Sequence, residues 1–78
     1  MIINSPAQIG AILAARRKQL GLSQAEVAAR VGLSQNRLSV LEKNAATLNA
    51  RQMVALLNAL GLDLAINDRT TGGKSREW

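Results

Sequence analysis

The chain has 78 residues, 47% of them hydrophobic, and a formal net charge of +5. Its length allows one small domain, and its apolar content favours a folded chain over a disordered one. Cysteine and histidine are both absent, which excludes disulfides, zinc sites built from those residues and catalytic units of the Ser-His or Cys-His type.

The positive charge is confined to residues 1–61, which contain seven Lys or Arg and two Glu, whereas the remaining residues are neutral overall. A basic compact domain favours a polyanionic partner. Trp78 is the only aromatic residue, which excludes an aromatic stacking surface for single-stranded nucleic acid. No apolar run is long enough to span a membrane and no signal peptide opens the sequence, so we expect a cytoplasmic protein without a membrane partner.

The first two helices are predicted from their capping residues and their glycine stops. Helix one begins at Ser5-Pro6, a cap followed by proline, and ends before Gly21. Helix two begins at the capping box of residues 23–26 and ends at Gly32. The apolar stripe expected to face the core from helix one consists of Ile9, Ile12, Leu13 and Leu20.

The third and fourth helices follow the same punctuation. Ser34 caps helix three, which ends near residues 43–44, and either Thr47 or Asn49 caps helix four, which ends at Gly61. The residues of these two helices expected in the core are Leu38, Leu41, Met53, Leu56, Leu57 and Leu60.

The apolar pattern then changes from the helical period to the alternation of a half-buried strand. One strand is not stable without a ladder partner, so we expect residues 62–68 to pair with the same strand of a second subunit, in preference to Ile2-Ile3. The interface residues would be Leu62, Leu64 and Ile66. The polar residues 69–78 are expected to form a disordered tail after the domain of residues 1–61.

Residues 24–43 show the spacing of a helix-turn-helix, in which the second helix enters the DNA major groove. Ala28 stands where the two helices cross closely, and Gly32 stands where the turn needs a positive φ. The apolar positions of the pattern are Val27, Val31, Leu33, Leu38 and Leu41.

Residues 5–61 resemble the Cro/repressor-type DNA-binding domain, through Gly-Leu-Ser-Gln-Ala-Glu-Val-Ala-Ala-Arg-Val-Gly at 21–32 and Leu-Glu at 41–42. With its Ser-Pro start, alternating segment and final Glu-Trp, the chain resembles HipB-type antitoxins. The resemblance implies a mostly α fold of four to five helices, similar to lambda repressor, with one C-terminal β-strand pairing across a dimer. It also implies an autorepressor that binds an inverted-repeat operator in double-stranded DNA and a HipA-type serine/threonine kinase toxin.

Base reading is expected from the N-terminal face of the third helix. Gln and Asn side chains can form two hydrogen bonds with adenine, and a Ser hydroxyl can serve several bases. Ser34 can also be explained as a cap alone. The candidate base-reading residues are Ser34, Gln35, Asn36 and Ser39.

Contacts to the DNA backbone are expected from polar residues around that helix. Gln24 begins the second helix, where backbone N–H groups attract a phosphate. The basic candidates are Arg16, Lys18, Arg37, Lys43 and Arg51, and Arg37 could meet either a base or a phosphate. The resemblance assigns Arg17 and Glu42 to a structural ion pair.

Trp78 has three open interpretations: an anchor that inserts into a partner protein, a proteolysis tag, or a solvent-exposed residue without a role. The carboxylates show no catalytic grouping, and the sequence contains neither a glycine-rich phosphate loop nor a metal cluster. We therefore expect no enzyme activity, no catalytic residue, no cofactor and no metal. The alternative function is a phage-type or general transcriptional repressor without a toxin partner.

Overall fold

A computed structural model of the chain describes residues 3–65, and all regular secondary structure in that range is helical. The helices are α1 (Pro6–Gln19), α2 (Gln24–Val31), α3 (Gln35–Lys43) and α4 (Ala50–Ala59). The expected mostly α fold class is confirmed, with four helices in the described range. None of these helices has the length and hydropathy needed to cross a membrane.

Each helix begins directly after a polar residue whose side chain caps it. Ser5, Ser23 and Asn49 each accept a hydrogen bond from the backbone three residues further on, and the Gln or Glu at that position bonds back to the cap. The Ser34 hydroxyl oxygen likewise accepts a hydrogen bond of 3.0 Å from the backbone N–H of Arg37. These bonds satisfy backbone donors that the first helical turn leaves without a partner. The cap of α4 is Asn49 and not Thr47.

The core lies where α1 and α2 pack against α3 and where α2 packs against α4. It consists of Leu13, Val27, Ala28, Leu38, Leu41, Leu56 and Leu60. The expectation that Leu20 faces the core is wrong, because its side chain is 42% exposed. Leu20 is the C-cap residue that follows α1, and the last position of α1 that is buried belongs to Arg17.

The close approach of α1 to the end of α3 depends on Gly10, which is buried. A Cβ at this position would lie 2.5 Å from the carbonyl oxygen of Leu41 and 2.6 Å from that of Glu42. Only a residue without a side chain fits there while the two backbones keep this distance. This contact was not predictable from the sequence, because a glycine inside a helix has no local pattern that reveals what packs on it.

The segment after α4 has no regular secondary structure in residues 62–65. The rest of the predicted dimerisation strand, with Ile66, lies outside the described residues. The predicted tail of residues 69–78, with Trp78, lies outside them as well. The strand, the dimer and the tail therefore stay predictions.

Candidate nucleic-acid interface

A tight turn at Gly32 joins α2 to α3. Gly32 has a φ of 73°, in the left-handed region that glycine enters without steric cost. The Gly32 N–H donates to the carbonyls of Ala28 and Ala29, and the Leu33 N–H donates to the Ala28 carbonyl at 2.9 Å. These bonds close the end of α2, and α3 starts only a few residues later.

The helix α3 has one buried face and one exposed polar face. Leu38 and Leu41 are 1% and 0% exposed, whereas Gln35 and Asn36 are exposed and Ser39 is half-buried. Because α3 is anchored by its two leucines, the amide groups of Gln35 and Asn36 are presented on the surface. The structure thus brings the predicted base-reading residues together at the first two turns of one helix.

Ser34 has the capping role that the sequence left open beside base reading. Its side chain is the cap of α3, since the hydroxyl oxygen accepts from the backbone N–H of Arg37 at 3.0 Å. A hydroxyl that accepts one hydrogen bond still carries its own hydrogen as a donor. Ser34 is exposed, so a base contact remains compatible with capping.

Two arginines predicted to contact the DNA backbone form hydrogen bonds within the protein. Arg37 donates from Nη1 to the Thr47 hydroxyl and from Nη2 to the Thr47 carbonyl, both at 2.8 Å. Arg16 donates from Nε to the Leu60 carbonyl at 2.8 Å. Arg37 thereby holds the loop between α3 and α4, and Arg16 connects α1 to the end of α4.

Arg17 and Glu42 form the expected ion pair, which connects α1 to α3. Arg17 Nε lies 2.7 Å from Glu42 Oε2, and Arg17 Nη2 lies 3.0 Å from Glu42 Oε1. A third donor, Arg17 Nη1, bonds to the Leu22 carbonyl at 2.9 Å. The two side chains are only 11% and 7% exposed. This two-pronged geometry fixes both the distance and the orientation of the helices it joins.

Each member of this pair favours the charged form of the other. Burial raises the pKa of Glu42, but hydrogen bonds from Arg17 and Gln24 and the nearby positive charge outweigh burial, so the pKa is lower than usual. The hydrogen bond to Glu42 raises the pKa of Arg17. Both groups are therefore charged at neutral pH.

Gln24 belongs to the same network, which the sequence analysis did not foresee. Its side-chain Nε2 donates to Glu42 Oε1 at 3.0 Å, so the first residue of α2 is held against the last turn of α3. No local pattern reveals a bond between residues 18 positions apart. The side chain predicted to contact a phosphate therefore has a structural partner within the protein.

The remaining basic candidates, Lys18, Lys43 and Arg51, are exposed. Within residues 3–65 no group of acidic residues is arranged to hold a metal ion. The candidate residues offer hydrogen bonding from exposed Ser, Gln and Asn side chains and positive charge from exposed Lys and Arg side chains. Such a surface suits the edges and phosphates of a polyanion.

Comparisons with known proteins agree with this geometry. Residues 13–67 match the model of the helix-turn-helix family HTH_3. A chain of a HipA–HipB–O2–O3 complex and the chain of a complex of HipB with the O4 20mer are each 27% identical, with a TM-score of 0.79 over 90% of this chain and 99% of theirs. The restriction-modification controller protein C.Esp1396I, 17% identical, shares the fold with a TM-score of 0.69 over 74% of this chain and 75% of its own. No curated protein is a significant match in sequence.

Replacing Glu42 with Gln should lower the free energy of unfolding by about 3 kcal/mol at neutral pH, because Arg17 then keeps a buried charge without an anionic partner. The double variant Arg17→Met/Glu42→Met should recover much of this loss, since it buries no charge at all. Urea unfolding of the three proteins measures both effects. Equal stability of wild type and Glu42→Gln would show that the pair does not hold the helices.

The difference in free energy of unfolding between wild type and Glu42→Gln should depend on pH. The pKa of Glu42 is lower in the folded protein than in the unfolded chain, where it is about 4.3. The ionised carboxylate therefore stabilises the fold above that value, and its contribution is lost as the pH falls through the lower folded-state pKa. The difference between wild type and Glu42→Gln should narrow below about pH 5. Glu26→Gln is the control, because Glu26 also has a lowered pKa, from its bonds to Ser23, but is fully exposed. Made in both proteins, this substitution should leave the stability difference between wild type and Glu42→Gln unchanged.

Proposed function

The chain belongs to the HTH_3 family of helix-turn-helix proteins, and we propose that it is a sequence-specific DNA-binding repressor that reads the major groove with α3. The observation that carries the proposal is the exposed polar face at the start of α3, formed by Ser34, Gln35 and Asn36. In helix-turn-helix proteins the N-terminal residues of the second helix contact base edges. The similarity to a chain of the HipA–HipB–O2–O3 complex and to the chain of the complex of HipB with the O4 20mer supports DNA binding by this chain.

Base contacts are assigned to the first two turns of α3. Gln35 and Asn36 each carry an amide that can donate to and accept from adenine in the major groove. Ser34 offers its hydroxyl hydrogen, and Ser39 lies one turn beyond Gln35 on the same face. These residues predict an operator half-site that contains A·T pairs.

Phosphate contacts are assigned to the rim of this face. The start of α2 at Gln24 offers backbone N–H groups, and Lys18, Lys43 and Arg51 offer exposed positive charges. Arg16 and Arg37 have internal hydrogen bonds, but a guanidinium has five N–H donors, so both can still meet a phosphate. Affinity that comes from these contacts falls steeply with salt concentration.

A homodimer is the proposed form of the protein on DNA. Residues 62–68 would pair with their counterparts in a second subunit, and the two α3 helices would read an inverted repeat with half-sites about 10–13 bp apart. An apolar pocket supports the proposal of a second subunit. The pocket is lined by Ile3, Ile9, Ile12, Leu13, Met53, Leu57 and Leu64. Two of its lining residues, Ile3 and Leu64, are 46% and 56% exposed, and a small domain gains stability when a partner covers such surface.

The proposed protein partner is a HipA-type serine/threonine kinase toxin, which would make the repressor the antitoxin of a type II toxin–antitoxin system. The similarity to a chain of the HipA–HipB–O2–O3 complex supports this partner. Trp78 would anchor the partner, because Trp buries a large area at low entropic cost. A repressor with no toxin would use the same α3 face but would have no use for this anchor.

DNA recognition is tested by two substitutions on α3. Gln35→Ala should weaken binding to the preferred duplex by about 1–3 kcal/mol and relax specificity at one base pair of each half-site. Lys43→Ala should weaken binding to all sequences by a similar factor and reduce its salt dependence. The measurement is a gel-shift titration of the full-length protein on a duplex selected from random sequences, at two or more salt concentrations.

Wild-type discrimination between duplexes by Gln35→Ala would show that the base-reading face is misassigned. No binding of wild type to any duplex would overturn the DNA-binding proposal itself. Arg30→Ala is the matched control for charge, since it removes an exposed positive charge that is assigned to no DNA contact, and it should bind as wild type does.

Partner binding is tested by the fluorescence of Trp78, the only aromatic residue. We expect red-shifted emission from the free protein, because the Trp78 indole should then be in water. The emission should shift to the blue when a HipA-type kinase is added. Unchanged red emission in a demonstrated complex would remove the anchor role. Blue emission from the free protein would mean that Trp78 already packs on its own subunit.

A further inference from the structure

One apolar side chain stands on the polar face of α3. Val40 is 54% exposed, although it lies between Leu38 and Leu41, which are almost completely buried. A β-branched residue is also a poor choice for an exposed helix position, where its rotamer freedom is lost without a packing gain. Neither the core nor helix propensity accounts for a valine at this place.

Its position around the helix places Val40 next to the proposed base-reading residues. At about 100° per residue, Val40 lies about 40° from Asn36 around the axis of α3 and about 160° from Leu38. Asn36 precedes it by one turn and Lys43 follows it by one turn, and both are exposed. Val40 therefore belongs to the outward stripe of α3, between an amide and a positive charge.

We propose that Val40 is a specificity-determining residue that contacts the 5-methyl group of a thymine in the operator half-site. The inference rests on the proposed DNA-binding function and adds a residue and a base to it. Val40 has no side-chain hydrogen-bonding atom, so it can recognise only an apolar group. The thymine methyl is the apolar group that a base pair presents in the major groove. A deoxyribose offers carbon atoms too, but at the rim of the groove, whereas Val40 shares the stripe of Asn36.

The spacing along the helix limits where this thymine lies. Four residues of an α-helix advance about 6 Å, and successive base pairs are about 3.4 Å apart. The thymine read by Val40 should thus lie within about two base pairs of the base that Asn36 contacts. Together the two residues favour an A·T-rich step in each half-site.

The test removes the methyl group from the DNA and the side chain from the protein. The full-length protein first selects its preferred duplex from random sequences, and each thymine of that duplex is then replaced by uracil, one position at a time. Wild type should lose about fourfold in affinity at one thymine per half-site, the effect of one methyl-sized apolar group. Val40→Ala should bind the thymine and uracil duplexes equally at that position and keep the wild-type response at every other position.

Val54→Ala is the matched control, because Val54 is 55% exposed on α4 and should behave as wild type on every duplex. The inference is overturned if no thymine shows this coupling to Val40. It is also overturned if Val40→Ala weakens binding to all duplexes by the same factor, which would indicate a sugar contact. These failures leave wild-type DNA binding intact, whereas absence of wild-type binding to any duplex would remove the proposed function and this inference together.

Discussion

The structure depends on a charged pair that is almost enclosed by a very small domain. Arg17 and Glu42 bond at 2.7 and 3.0 Å across the junction of α1 and α3, with Gln24 of α2 donating to the same carboxylate. A pair of this kind adds little net stability compared with apolar residues. What it provides is orientation, since the planar guanidinium and carboxylate meet in one geometry. Gly10 acts at the same junction, because it lets the backbone of α1 approach the carbonyls of Leu41 and Glu42.

This junction allows α3 to be anchored from one side only. Leu38 and Leu41 fill the core, the last turn is held through Glu42, and Arg37 connects the helix to the following loop at Thr47. Gln35 and Asn36 consequently do not pack in the core and remain exposed. A reading helix needs this arrangement, because base contacts require side chains whose backbone is rigid but whose polar groups are not already committed.

Much of this architecture was predictable from local chemistry. The helix starts follow from capping side chains such as Ser23 and Ser34, and the turn follows from Gly32, since these features act within four residues of the chain. The bond of Gln24 to Glu42, the contact at Gly10 and the exposure of Leu20 were not predictable, because each depends on how distant segments meet. The strand predicted after Gly61 stays a prediction, because an isolated strand needs a ladder partner and the sequence of one chain does not specify that partner.

We propose that the exposed face of α3, held by the Arg17–Glu42 pair, is the surface that meets DNA. The most direct test is an amide NMR titration of the full-length protein with its selected duplex. We expect the largest shift changes at Gln24 and within residues 34–40, with small changes at Met53 and the surrounding pocket. Changes concentrated around that pocket, with residues 34–40 unaffected, would contradict it.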